Sequence, residues 1–367
     1  MSDQNSVASP ETTRRNYGID ALRILAMFMV ILLHLLGQGG VLERAEWMSS
    51  QYKAAWFLEV AAFCAVNCYA LISGYVGTNG KYKYYNIVLL WLRVVFWTLC
   101  ITLLFSIFAP GTVTMKDWVK ALLPVSEGYY WYFTAYFALF FLIPFLNAAM
   151  DKLTREQLRA LVISFVIIFS GMQTLFSWDI FSTAANVWWL MLLYVMGGYI
   201  RRYGLCKKSS TGVLFLGYLG MTVLTWLSKM LIEAGMLPFL NRFGSNYLVN
   251  NTSPTILASA VFLLLLFERI QTSRLAEKII HFFAPMAFSV YLIHANPFVW
   301  DYLLTRRFEG YAECSVCLEL LLVLVTAAGI YVLCSLLDLI RAGIFKGLKL
   351  KQHLAKAEEK YIGKLWN

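Results

Sequence analysis

The sequence predicts an all-α fold: a polytopic membrane helix bundle of about ten transmembrane helices with both termini cytoplasmic. Three observations predict it. Hydrophobic residues make up 60% of the 367 residues and charged residues only 14%, with a mean hydropathy of +0.63. That is more apolar surface than a water-soluble domain needs. Apolar runs long enough to cross a bilayer recur along the chain. The basic residues gather in alternate connections between those runs.

The expected spans are Ile19–Leu36, Trp56–Val76, Asn86–Phe108, Tyr129–Met150, Leu158–Phe176, Asn186–Arg201, Val213–Ile232, Thr255–Phe267, Pro285–Leu303 and Leu318–Ile340. The first is followed by "LLGQGGVLERAEW", which offers no small-residue cleavage site, so it is expected to stay as a helix. The eighth is short for a span. The ninth contains "HANPF", and Pro297 is expected to kink it. Three regions follow: a polar, disordered cytoplasmic tail over 1–15, a transmembrane domain over 16–342, and a cytoplasmic tail over 343–367. The last is basic and amphipathic, which suits a helix lying on anionic headgroups.

Orientation follows from charge. With the N-terminus inside, the inner segments carry Arg14 and Arg15, Lys81 and Lys83, and Lys152, Arg155 and Arg159. They also carry Arg201, Arg202, Lys207 and Lys208, then Arg269, Arg274 and Lys278, and the basic tail from Arg341. Outer segments carry only scattered cations such as Arg44, Lys53 and Arg242. The bias places both termini in the cytoplasm.

The net charge of +10 does not indicate nucleic-acid binding, because the cations form short clusters between apolar runs and no stripe. The seven cysteines are scattered, and most lie in apolar runs where cysteine packs as a small hydrophobe. Cys314 and Cys317 form a lone "ECSVC" pair, which reads as packing or an external disulfide in preference to zinc; no metal is expected. Within these residues no soluble catalytic domain is expected, so any chemistry falls to the membrane part.

Ionisable residues inside spans are costly, about 2.5–3.5 kcal/mol at the bilayer centre on insertion scales, and mark functional sites. In "GIDALRILAMFMVILLHLLGQGG", Arg23 and His34 stand eleven positions apart. Eleven helical steps return to within about 20° of the starting face and rise about 16 Å. Both therefore line one face at two depths, which predicts a polar cavity running through the bundle. Asp20 is placed to pair with Arg23. Glu59, on the second span, is expected at the depth of His34, where a carboxylate would orient the imidazole and raise its basicity. Asn67 lies deeper on that span. Arg93, Lys81 and Lys83 join Arg23 as a cationic cluster suited to a phosphate-bearing ligand. Tyr291 and His294 lie near mid-membrane in the ninth span.

These residues resemble the acyltransferase-3 family, the multi-span membrane O-acyltransferases of bacteria. "GIDALRILAMFMVILLH" fits the family's Arg, ten residues, His pattern at Arg23 and His34. "ALISGYVG" at Ala70–Gly77 resembles its second-span ending, and "YYWYFTAYFALFFLIPFL" at Tyr129–Leu146 its aromatic fourth span. "SVYLIHANPF" at Ser289–Phe298 resembles its late Tyr-Leu-Ile-His motif. The likeness runs from about Tyr17 to Arg341. One departure stands out. Many members carry an R-x-x-R pair at the third span, whereas here Leu90 stands three before Arg93, with Lys81 and Lys83 as substitute cations.

The resemblance implies a bacterial cytoplasmic-membrane enzyme. It would move an acyl group, acetyl being the expected one, from acetyl-CoA to a hydroxyl of an extracytoplasmic or lipid-linked envelope glycan. Arg23, Arg93, Lys81 and Lys83 would hold the CoA phosphates. His34 would act as general base, with Glu59 orienting it, and Asn67, Trp131, Tyr291 and His294 would line the acceptor site. The partners implied are acyl-CoA, a glycan or glycolipid and the bilayer, with no nucleic acid. The family also includes the membrane halves of anchored serine racemases. The alternative reading is therefore a transporter-like protein passing a small solute such as serine without acyl transfer.

Overall fold

A computed structural model describes residues 15–78, 82–176 and 185–361. Among them no strand occurs, so the backbone is satisfied within helices, as a bilayer requires. The helices in chain order are α1 (Tyr17–Leu36), α2 (Val41–Arg44), α3 (Ser50–Ala62), α4 (Ala65–Gly77), α5 (Tyr85–Phe108), α6 (Met115–Leu122), α7 (Trp131–Lys152), α8 (Arg155–Val166), α9 (Gln173–Phe176), α10 (Ala185–Tyr203), α11 (Thr211–Glu233), α12 (Pro254–Glu268), α13 (Arg274–Phe283), α14 (Ala287–His294), α15 (Pro297–Val299), α16 (Val316–Gly347) and α17 (Leu350–Tyr361).

Among the described residues, eight of the expected spans overlap helical stretches long and apolar enough to cross a membrane. The other two are α10, whose last turn carries Arg201 and Arg202, and α12, with only 15 residues. Chain chemistry sets several helix starts. Asn16, Ser49, Ser210, Ser253 and Ser273 each accept a hydrogen bond from a backbone N–H of the first turn, satisfying donors that would otherwise be orphaned.

The ninth span departs from expectation. It runs over Arg274–His294, beginning and ending earlier than Pro285–Leu303. Pro285 falls in the first turn of a 3-10 segment, Ala284–Met286, that links α13 to α14, where a missing N–H costs nothing. Pro297 does not kink a continuing helix. Asn296 ends the run and caps a new short turn, its Oδ1 accepting from Phe298 N at 3.0 Å. The second span is also divided, at Phe63 and Cys64 between α3 and α4.

The centre of the bundle is α1, α4, α10 and α14. Helices α4 and α10 approach most closely, and glycine makes this possible. A Cβ at Gly74 would lie 1.9 Å from the Tyr194 carbonyl oxygen, and one at Gly197 would lie 2.2 Å from that of Leu71. The helices α5, α8, α11 and α16 lie outside, presenting Leu104, Ile163, Leu216 and Leu333 outward.

All seven cysteines are free, Cys314 and Cys317 included. Most of the expected N-terminal tail lies outside the described residues. At the other end, α16 runs past residue 342 to Gly347. The tail that follows forms α17, whose Glu358 accepts from the backbone N–H groups of Tyr84 and Tyr85 at 3.1 and 2.8 Å. A carboxylate is thus set on the positive end of α5.

The Gly197→Val protein is expected to lose about 3 kcal/mol of stability, since the obstructing atom is a backbone oxygen that cannot rotate away. Thermal unfolding in detergent checks this. A melting temperature equal to that of the native protein would contradict the close-packed crossing.

Candidate functional site

His34 stands in the last turn of α1 and His294 at the end of α14. The break at Asn296 ends α14 so that the two rings meet. His34 Nδ1 lies 3.0 Å from His294 Nε2, and His294 Nδ1 lies 2.6 Å from the carbonyl oxygen of Val290. A carbonyl only accepts, so His294 carries a proton on Nδ1, and in the neutral ring its Nε2 accepts. His34 therefore donates from Nδ1, which leaves its Nε2 with a free lone pair. After the break the chain returns Trp300 onto the His34 ring, edge to face, with centroids 4.5 Å apart. Asn296 Nδ2 donates to the Tyr130 hydroxyl at 3.2 Å, and that hydroxyl donates to the Leu292 carbonyl at 2.6 Å, which ties α7 to the broken helix.

His34 lines a cavity of about 280 Å³ together with Glu59, Phe63, Val66, Tyr69, Asn251, Trp131, Tyr132, Phe288 and Tyr291. Glu59 and His34 do not hydrogen-bond, which corrects the expected pairing: α14 reaches the ring first, and His294 orients it. Glu59 Oε2 is buried without a hydrogen-bond partner.

Arg23 lines a second cavity, of about 340 Å³, with Arg93, Asn86, Ser73, Leu90, Tyr136 and Pro285. Its lining holds two guanidinium groups and no carboxylate. Arg93 Nη1 donates to the Pro285 carbonyl at 3.3 Å. Arg23 Nη1 binds Asp20 Oδ1 at 2.5 Å, as the spacing predicts, while Asp20 Oδ2 also binds Arg15 at 2.5 Å. One carboxylate between two guanidinium groups leaves a net positive charge at the cavity. The single polar passage expected along α1 is thus two cavities. They share the side chains of Tyr69, Tyr132 and Phe288.

What this arrangement catalyses is narrowed by one comparison. The sequence profile of the acyltransferase-3 family, described as an acyltransferase domain, matches residues 16–339, which include every residue of both cavities. The chain belongs to the acyltransferase-3 family. It is a multi-pass membrane enzyme that transfers acyl groups other than aminoacyl groups. No curated protein and no solved structure matches it significantly.

Several expected site residues of this acyltransferase stand elsewhere. Asn67 lines neither cavity. Its Oδ1 accepts from Trp189 Nε1 at 2.9 Å, and its Nδ2 donates to the Asn251 carbonyl at 2.8 Å, so its amide is spent joining α4 to α10. Lys83 is exposed and lies over the Tyr85 ring, 5.6 Å from its centroid. Lys81 lies outside the described residues. Trp131 and Tyr291 do line the His34 cavity, whereas His294 acts on His34.

Sequence reasoning missed Tyr69, Tyr132 and Phe288, because an aromatic residue on an apolar helix carries no signal of facing a cavity. It also missed the buried network beside Arg93. There Asp338 accepts two hydrogen bonds from Arg341, at 2.6 and 2.8 Å, and one from Trp97 Nε1 at 3.0 Å. The i, i+3 spacing of Asp338 and Arg341 near the end of the tenth span was the available sign.

Asn67→Ala is expected to lower stability by about 1–3 kcal/mol, the cost of leaving a buried donor and a buried acceptor unpaired. Acyl transfer per folded molecule should stay unchanged. Activity lost from a fully folded Asn67→Ala protein would return the residue to the substrate site.

Proposed function

We propose that this acyltransferase moves an acyl group from acyl-CoA, bound at the Arg23 and Arg93 cavity, to a hydroxyl of an acceptor bound in the His34 cavity. The observation that carries the reading is the contact chain from His34 Nδ1 to His294 Nε2 and from His294 Nδ1 to the Val290 carbonyl, which with both rings neutral leaves Nε2 of His34, a residue lining the acceptor cavity, unprotonated. A neutral imidazole held this way is a general base. The acceptor oxygen attacks the thioester carbonyl as its proton passes to His34 Nε2. The carbon–oxygen bond forms, the carbon–sulfur bond breaks, and CoA leaves as the thiolate, which takes the proton back from the imidazolium. His294 holds the ring by accepting from Nδ1. The Val290 carbonyl keeps His294 in the tautomer that can do so.

Two guanidinium groups without a carboxylate in the lining suit the phosphates of CoA, which arginine binds by paired, charge-assisted hydrogen bonds. The basic residues around that end support placing it in the cytoplasm. The acceptor cavity then faces outward. Its aromatic walls, with Asn251 and the partnerless Glu59 oxygen, suit a hydroxyl-rich ring such as a sugar of an envelope glycan. Acetyl is the acyl group proposed, and the bacterial cytoplasmic membrane the location.

His34→Ala is expected to cut transfer by about 10²–10⁴-fold, the usual contribution of a general base, while the protein stays folded and still binds acyl-CoA. Release of CoA thiol from acetyl-CoA by membrane vesicles, with mass spectrometry of envelope glycans for O-acetyl groups, reads it out. Undiminished O-acetylation in that variant would refute the role. His294→Leu should lower kcat with KM for acetyl-CoA unchanged, whereas Arg93→Ala should raise that KM.

A further inference from the structure

Two cavities on opposite sides of one partition pose a question that the transfer reading leaves open: how an acyl group crosses. The partition consists of three aromatic side chains, each from a different helix. Tyr69 comes from α4, Tyr132 from α7 and Phe288 from α14. Tyr69 and Tyr132 meet edge to face with centroids 6.2 Å apart. Tyr69 is fixed from the Arg23 side, its hydroxyl donating to the Arg23 carbonyl at 3.0 Å. Tyr132 stacks on Tyr136 at 6.2 Å. Phe288 is held among rings alone, Phe133 at 6.2 Å and Tyr291 at 6.1 Å.

We infer that Tyr69, Tyr132 and Phe288 form the selectivity partition of the enzyme, which sets the size of the acyl group that reaches His34. The inference rests on the proposed transfer between the two cavities. A ring fixed by a hydrogen bond resists displacement, whereas one held by ring contacts alone moves at lower cost. Phe288 is therefore the mobile member. It sits two residues after the 3-10 turn Ala284–Met286, where the helix is already interrupted and its direction is set by one turn of backbone. Tyr69 forms the fixed edge, and Tyr132, held by the rings of Tyr69, Trp131 and Tyr136, stands between the two. A small acyl group passes with a rotation of one ring, and each added methylene must displace more of the partition. Discrimination by one methylene in an apolar constriction amounts to about 10–200-fold.

The experiment uses the full chain in membrane vesicles of its native host, which supply the acceptor. Release of CoA thiol is followed from acetyl-, butyryl- and hexanoyl-CoA. Phe288→Ala is expected to raise the hexanoyl-to-acetyl rate ratio by about tenfold or more, and Phe288→Leu, the milder change, to raise it less. A second measurement does not need turnover. A cysteine introduced at Val66, in the His34 cavity, is exposed to a membrane-impermeant maleimide from the Arg23 side only. One at Asn86, in the Arg23 cavity, serves as reference, and labelling is read peptide by peptide by mass spectrometry. The Val66 cysteine should be protected when Phe288 is present and labelled when it is alanine or leucine, with the Asn86 cysteine labelled throughout. Equal labelling at Val66 with Phe288 intact, or an unchanged rate ratio in an active variant, would overturn the partition. Thiol release from none of the donors by the native protein, with labelling still gated, would overturn the transfer reading and the selectivity with it. The two failures are therefore distinguishable.

Discussion

The hydrogen bond between His34 and His294 is the contact on which the rest of the site depends. Two imidazoles 3.0 Å apart can bond only if one nitrogen of the pair lacks a proton, so the contact excludes a doubly charged pair. It also needs a specific backbone. α14 must stop at His294, which Asn296 and Pro297 ensure. The chain beyond must then turn back to lay Trp300 on the His34 ring. The bond from Asn296 to Tyr130 and from Tyr130 to Leu292 fastens this break to α7, the helix that also carries Trp131 and Tyr132. One interruption in one span thus brings the two imidazoles together and anchors the wall of the His34 cavity.

A membrane interior punishes unpaired charge, and the bundle sorts its charges accordingly. Arg15, Asp20 and Arg23 share one carboxylate between two guanidinium groups. Asp338 and Arg341 neutralise each other with help from Trp97. Lys229 is enclosed by Glu233 at 2.6 Å, by Asn246 at 2.9 Å and by the Trp56 ring 3.6 Å away. Against that background the cavity of Arg23 and Arg93 stands out, because no carboxylate lines it and the Asp20 carboxylate that pairs with Arg23 is shared with Arg15. Tyr69, Tyr132 and Phe288 line both this cationic space and the one that holds His34.

Much of this was legible in the sequence. The helical repeat from Arg23 to His34 placed both on one face, and each does line a cavity. The Asp20 pairing followed from its spacing. What was not legible depended on helix against helix. Glu59 was the expected partner for His34, and the partner found is His294, a choice made by where α14 breaks, a tertiary outcome. Asn67 looked like a polar residue kept for a ligand. It is consumed by Trp189 of α10, and no local pattern reveals a partner 122 residues away. Pro285 looked like a helix start, yet a proline in a 3-10 first turn can sit inside a longer span. The aromatic wall was invisible because cavity-facing and lipid-facing rings have the same sequence.

The central claim, that His34 is presented as a base with Nδ1 protonated and Nε2 bare, is tested most directly by nitrogen-15 NMR of histidine-labelled protein in lipid bilayers. The chain has only four histidines, so His34 is assigned by its loss in one variant. The account predicts a protonated Nδ1 signal for His34, coupled to an unprotonated Nε2 of His294. A His34 ring protonated on Nε2, or on both nitrogens, would contradict it.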